Sequence, residues 1–342
     1  MSGAFGWIKN DTANPGGTRV AGNSGFANAK QAYGGGARHV DVNYDPNVGK
    51  ARKIDSFAAK VKGAIPEARH TLTSTASNVL IVVMDVTGSM STWPKEIFRR
   101  LPLLFTEMCE HLGSDDLEIL FIAHGDARSD RYPIQVARFG KGPALDTMLA
   151  SFELEGGGGG QGTESHELVA YYLVERVDTQ SAQNVFTVLI TDEAACDRID
   201  PQHIERYLGI SAPAESVSTK AVFATLERRS DVYAIVCDTN SYNGPEPMLR
   251  FWRNTINPER VLYLTDARRV VDVMIGIVAN SVGRYDQFKS RLIGRQAGTM
   301  YAAGNVAIVD KTLALVRKGG VTKLLPPPDD PDNQSQRTRS LL

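Results

Sequence analysis

Cysteine is scarce in this chain of 342 residues. Cys109, Cys196 and Cys237 have no framework spacing and sit in apolar helix or strand patterns, which points to a reducing cytoplasm rather than a disulfide-stapled secreted protein. No unbroken apolar run approaches the roughly 18 residues of a membrane span, so none is expected. The opening stretch, MSGAFGWIKNDTANPGG, lacks the charged and apolar regions of a secretory signal. No G-x-x-x-x-G-K-[S/T], H-E-x-x-H or C-x-x-C is present, which argues against P-loop nucleotide binding and the common zinc sites. His124 and His166 have no partner at ligand spacing.

The net charge of −1 conceals an asymmetry. Residues 1–76 carry ten basic and five acidic side chains, residues 77–282 carry 18 and 29, and residues 283–342 carry ten and five. Basic flanks beside an acidic centre can fold onto it or meet an acidic partner. Neither flank has the dense Lys/Arg cluster interleaved with aromatics of a nucleic-acid binder, so a scaffold that binds nucleic acid through its flanks is the weaker alternative.

With 42% hydrophobic residues the chain can bury a full core. Its organising stretch is NVLIVVMDVTGSMS, from Asn78 to Ser91. Val79 to Met84 is an apolar, β-branched run that reads as a strand buried on both faces. Asp85, Thr87 and Ser89 follow at i, i+2 and i+4 of one tight loop, where their oxygens can turn toward a common point. Ligands collect at the carboxyl ends of strands in open α/β sheets, and oxygen donors suit a hard divalent cation such as magnesium.

The remaining pattern alternates strands with helices. A helix is expected after Pro94, with Ser91 and Thr92 as capping residues and a kink or break at Pro102. Further strands are expected at Leu117–Ala123, Ile134–Phe139 (an edge), Asn184–Ile190, Val232–Val236 and Val261–Leu264. Helices fall at Leu145–Phe152, after Gly162, twice within residues 201–229, and at Val270–Ala279. This predicts a doubly wound, mostly parallel α/β sheet with helices on both faces. Outside it, residues 1–38 read as a flexible glycine-rich arm, and residues 39–76 as an extension with a short strand at 39–44 and a helix at 51–64. Residues 283–325 read as a C-terminal extension, with a helix at Tyr285–Ile293 and short strands at Val306–Val309 and Leu313–Val316. A disordered tail follows from Pro326.

Asp85-Val86-Thr87-Gly88-Ser89-Met90 resembles the D-x-[S/T]-x-S element of von Willebrand factor A domains, and the resemblance covers roughly residues 77–282. It implies an intracellular module of bacterial type with a metal-ion-dependent adhesion site. The second loop of that site resembles GGGGGQGTESHE, Gly156 to Glu167, with Glu164 at the position of the family's Glu. Gln161 stands where an Asp is usual, so the second-loop ligand is Thr163 or, alternatively, Gln161. Asp192 matches the Asp that ends the fourth strand, followed here by Glu193. The implied metal ligands are Asp85, Thr87, Ser89, Thr163 and Asp192. The implied cofactor is Mg²⁺ or Mn²⁺, with one position left for an Asp or Glu of a partner protein, such as an AAA-type ATPase or another assembly subunit. The implied function is non-enzymatic protein binding. The enzyme alternative is a magnesium-dependent phosphotransferase of haloacid-dehalogenase type, with Asp85 as nucleophile and Asp192 and Asp197 as acidic partners; Thr87 stands where its general acid would be.

Overall fold

A computed structural model of the protein describes residues 68–154, 162–239 and 244–318. The expected arm at 1–38, the strand at 39–44, the helix at 51–64, the run Gly156–Gly160, Gln161 and the tail from Pro326 lie outside these residues.

The six central strands are β1 (Asn78–Asp85), β2 (Leu117–His124), β3 (Ile134–Val136), β4 (Asn184–Thr191), β5 (Asp231–Cys237) and β6 (Val261–Leu264). They are ordered β3-β2-β1-β4-β5-β6. All neighbours are parallel except β2 and β3, which pair antiparallel and make the sheet mixed. Every residue of β1 is buried. Its alternation sends Leu80, Val82 and Met84 into one core and Val79, Ile81 and Val83 into another, so both faces of the sheet are covered.

The first core is roofed by α1 (Trp93–Arg99), α2 (Leu101–Leu112), α3 (Ala144–Ala150) and α7 (Val270–Ser281). The second lies under α4 (His166–Arg176), α5 (Thr219–Glu227) and α6 (Glu246–Thr255). The break expected at Pro102 falls at Arg100 (φ −111°, ψ 15°), and Pro102 lies in the first turn of a new helix, where its missing N–H is no loss. Thr92 precedes α1 but its side chain makes no cap bond, contrary to expectation; its own helical φ/ψ (−81°, −34°) differs from the extended backbone of a capping residue.

The two short strands expected near the C-terminus are helices instead: α9 (Ala302–Thr312) and α10 (Ala314–Lys318), after α8 (Tyr285–Gln296). Asn305, Val309, Thr312 and Val316 are the buried positions, a three-to-four-residue spacing that overrides the β-branched content of the short apolar runs. Phe288, Leu292, Val309, Leu313 and Val316 belong to the same core as the strands, so this region is packed into the fold.

Charge also ties α8 to the body. Glu107 on α2 accepts from Arg291 (2.6 and 2.9 Å) and Arg295 (2.8 Å), while Asp272 on α7 accepts from Arg100 (2.8 Å) and Arg295 (3.3 Å). Burial alone would raise both carboxyls, but the arginines outweigh it and hold each at about 2. Their ordinary values are 4.5 and 3.8, so this stabilisation is present above pH 4.5 and is lost as pH falls toward 2. Glu107→Gln removes the shared anion of two arginines, one of them buried, and should cost about 3–5 kcal/mol in urea unfolding at neutral pH. The variant should lose less stability than wild type between pH 4.5 and 2.

Candidate functional site

The site begins where β1 runs out of apolar side chains. Asp85 has no exposed surface. Its Oδ1 accepts from the Thr87 backbone N–H (2.9 Å) and from the Thr87 hydroxyl (2.6 Å), which folds the loop back over the strand end. Two further turns follow, with Met90 N–H donating to Thr87 O (3.1 Å) and Ser91 N–H to Gly88 O (3.4 Å). These leave Ser89 exposed at the tip. Burial pushes Asp85 up to about 7 against the opposing Thr87 bonds, and the charges of Asp192 and Glu193 add to the rise.

β4 is the neighbour of β1 on the side where strand order reverses, and it ends at Thr191-Asp192-Glu193. Asp192 is half-buried; its Oδ2 accepts from the Thr239 hydroxyl (2.7 Å), beyond the end of β5. Its Oδ1 is buried without a hydrogen-bond partner. Glu193 N–H donates to Thr191 Oγ1 (3.0 Å), and Trp252 Nε1–H donates to Glu193 O (3.1 Å), fixing the loop. Asp85, Thr87 and Asp192 are thus gathered at two adjacent strand ends, with Ser89 on the same loop.

The second loop enters as a short parallel ladder, Thr163 opposite Ala194 and Glu164 opposite Ala195, just past Asp192. Successive side chains of an extended segment point to opposite sides. Thr163 Oγ1 accepts from Arg128 (2.9 Å) and lies 3.7 Å from Cys196 Sγ. Glu164, next to it, is buried with Oε2 unpartnered. Burial raises its carboxyl to about 9, and the charge it feels most is that of Asp85, ahead of Glu193, Asp126 and Asp130. Thr163, the expected second-loop ligand, thus has its hydroxyl in contact with Arg128 and Cys196, while Glu164 is the second-loop carboxyl on which the charge of Asp85 acts.

The β2–β3 loop closes the third side. Arg128 donates through Nε to Asp126 Oδ1 (2.7 Å) and through Nη2 to Thr163 O (2.7 Å), clamping the two loops. A Cβ at Gly125 would lie 2.2 Å from Asp130 Oδ2, so a larger residue there would displace that carboxylate.

Among the described residues, no group of three or more His, Cys, Asp or Glu side chains converges as a metal cluster. The expected set is mixed, two carboxylates (Asp85 and Asp192) with the hydroxyls of Thr87, Ser89 and Thr163. Its oxygens fit a hard cation in kind. The unpartnered Asp192 Oδ1, and the burial and the charges of Asp192 and Glu193 that raise Asp85, are what a divalent charge would relieve.

No family model matches the sequence, and no curated protein matches it. Among solved structures the chain is similar to the pilus adhesin SpaC of Lactobacillus rhamnosus GG. The identity is 10% over 62% of this chain and 32% of the adhesin, with a TM-score of 0.43. The open conformation of SpaC gives 12% over 65% and 31%, with a TM-score of 0.42. Proximal thread matrix protein 1 of the mussel byssus gives 12% over 63% and 48%, with a TM-score of 0.39. The chain thus spans about a third of the adhesin's length and about half of the matrix protein's.

Arg128 is the cation nearest these loops in hydrogen-bonded contact, and its side chain is one-third exposed. Arg128→Ala strands the buried Asp126 carboxylate and frees Thr163. It should destabilise the protein by about 1–2 kcal/mol, less than a fully buried pair because solvent screens the guanidinium. Urea midpoints of wild type and variant measure it.

Proposed function

We propose that this chain is a doubly wound α/β module of the von Willebrand factor A type, and that it binds a protein partner by a metal-ion-dependent contact rather than by catalysis. The strand order β3-β2-β1-β4-β5-β6, with five parallel strands, supports the fold reading; it is the order of a doubly wound sheet. An antiparallel edge strand is a common addition to such sheets.

The observation that carries the function is the placement of Asp85 at the end of β1, with its bonded Thr87 hydroxyl, beside Asp192 just past the end of the adjacent β4. Asp85, Thr87, Ser89 and Asp192 are the residues that would hold the ion, with Thr163 from the second loop. A bound Mg²⁺ or Mn²⁺ supplies an electrophilic position open to an outside anionic oxygen. Thr87 and Ser89 contribute neutral oxygens, and Ser89 sits at the exposed tip where a partner's Asp or Glu would approach. Thr239 orients Asp192 by occupying Oδ2, which leaves Oδ1 for the site. The absence of exposed surface on Asp85 disfavours its use as the nucleophile of a phosphotransferase. No helix among the described residues is long and apolar enough to cross a membrane. The partner class is a protein surface that presents a carboxylate, such as an AAA-type ATPase or another assembly subunit.

Ion bound only by the folded state adds about 2.7 kcal/mol at a hundredfold excess over its Kd, so millimolar Mg²⁺ should raise the melting temperature above that in EDTA. Ser89→Ala, at an exposed position, should melt like wild type in EDTA but lose the Mg²⁺ shift and the partner recovered by affinity capture. Coincident wild-type melts in EDTA and Mg²⁺ would refute the reading. So would a phosphatase activity that depends on Asp85.

A further inference from the structure

We infer that Trp252 is a positioning residue for the proposed ion site: its indole N–H holds the carbonyl next to Asp192, so that the β5–α6 unit grips this acidic residue at two points. The inference rests on the metal-dependent reading above and concerns a residue which that reading does not use.

Of helix α6 only Leu249, Trp252 and Thr255 are buried, and Trp252 has no exposed surface at all. Its ring meets His166 at the start of α4, Phe223 on α5 and Phe251 on α6 itself, each edge-on, with centroids 5.0, 5.5 and 5.3 Å away. Side chains of three helices therefore set the plane and direction of the indole. Phe223 and Phe251 serve this cluster without a polar atom, whereas a buried indole brings an N–H that needs an acceptor. An indole nitrogen can only donate. Here Nε1–H donates to Glu193 O at 3.1 Å.

The bond matters because of where Glu193 lies. β4 ends at Thr191, and the chain turns through Asp192 and Glu193 before Ala194 pairs with Thr163. Thr191 closes that turn locally: its Oγ1 accepts the Glu193 N–H at 3.0 Å and lies 3.3 Å from Glu193 O. A contact between residues two apart shapes a turn but does not place it against the body of the fold. Trp252, 59 residues further along the chain, does. From the other end of the same β5–α6 unit, Thr239 donates to Asp192 Oδ2 at 2.7 Å. One bond holds an oxygen of the side chain, the other the backbone just beyond it. With both in place, Asp192 Oδ1, buried and without a hydrogen-bond partner, keeps a single direction. The ring contact with His166, three residues after Thr163, ties the second loop to the third through the same side chain.

A tryptophan that only filled the core would, on replacement, cost stability and leave ion affinity alone. Partners that orient a metal ligand typically contribute ten- to a hundredfold in affinity. Calorimetric titration of the full chain with Mn²⁺ should give a Kd about tenfold weaker for Trp252→Phe, which keeps a ring and loses the donor. Val232→Ala, in the same core at the amino end of β5, should also melt lower without ion yet keep the wild-type Kd. In the wild type, the Trp252 indole N–H resonance should shift as Mg²⁺ is added and saturate with the ion's Kd; replacing Trp7 and Trp93 by Phe in turn assigns it. If Trp252→Phe does not fold, this resonance carries the test. An unchanged Kd in Trp252→Phe, an equal loss of affinity in Val232→Ala, or an indole resonance that Mg²⁺ leaves in place would overturn the inference and leave the ion site standing. Wild type that binds no Mn²⁺ would overturn both.

Discussion

The constraint on which the rest of the site depends is a carboxylate at the end of a strand that water does not reach. Asp85 terminates an all-buried strand and is itself without exposed surface. Ionising it there is costly unless hydrogen bonds and opposite charge are supplied. The chain supplies the hydrogen bonds: Thr87 twice on Oδ1 and Thr191 on Oδ2. Among the described residues, the charges that act most on Asp85 are like ones, Asp192 and Glu193, and Glu164 in turn is raised foremost among charges by Asp85. A cluster of like charges in a dry place opposes folding. On the account proposed here, a divalent ion turns that opposition into attraction.

A contrasting solution occurs across the first core. Glu107 and Asp272 are as deeply buried as Asp85, yet both are held near 2 because arginines stand within hydrogen-bond reach. Burial is the same in the two places; the counter-charge differs. Where the structure needs rigidity, as between α2, α7 and α8, an arginine from the chain itself provides it. At the strand ends, on the function proposed here, the counter-charge comes from a bound ion.

Much of the fold could be read from the sequence because buried parallel strands leave short apolar runs that cannot be mistaken for exposed helix. The six sheet strands fall within a few residues of their expected positions. The antiparallel pairing of β3 was also derivable, since residues 125–133 are too few for the crossover that a parallel neighbour needs. Two things were not legible. The C-terminal runs around Val306 and Leu313 are too short to declare a period, and only the packing of Val309, Leu313 and Val316 against α7 and α8 decides for helix. Helix α6 was missed because it buries only Leu249, Trp252 and Thr255, a narrow stripe on a polar segment. In the site, Asp85, Thr87 and Asp192 came from local motifs at strand ends. The pairing of Thr163–Glu164 with Ala194–Ala195 and the grip of Arg128 on Thr163 were not legible, because a two-residue strand leaves no sequence period.

The proposed function stands or falls on whether the oxygens of Asp85, Thr87, Ser89 and Asp192, with Thr163, hold a divalent cation. Anomalous diffraction at the manganese edge from crystals soaked in Mn²⁺ tests it most directly. The account predicts a single strong peak at the carboxyl ends of β1 and β4, about 2.1 Å from the hydroxyls of Thr87 and Ser89, with Asp85, Asp192 and Thr163 bound directly or through one water. No peak at saturating Mn²⁺, or a peak that leaves Thr87 and Ser89 untouched, would contradict it.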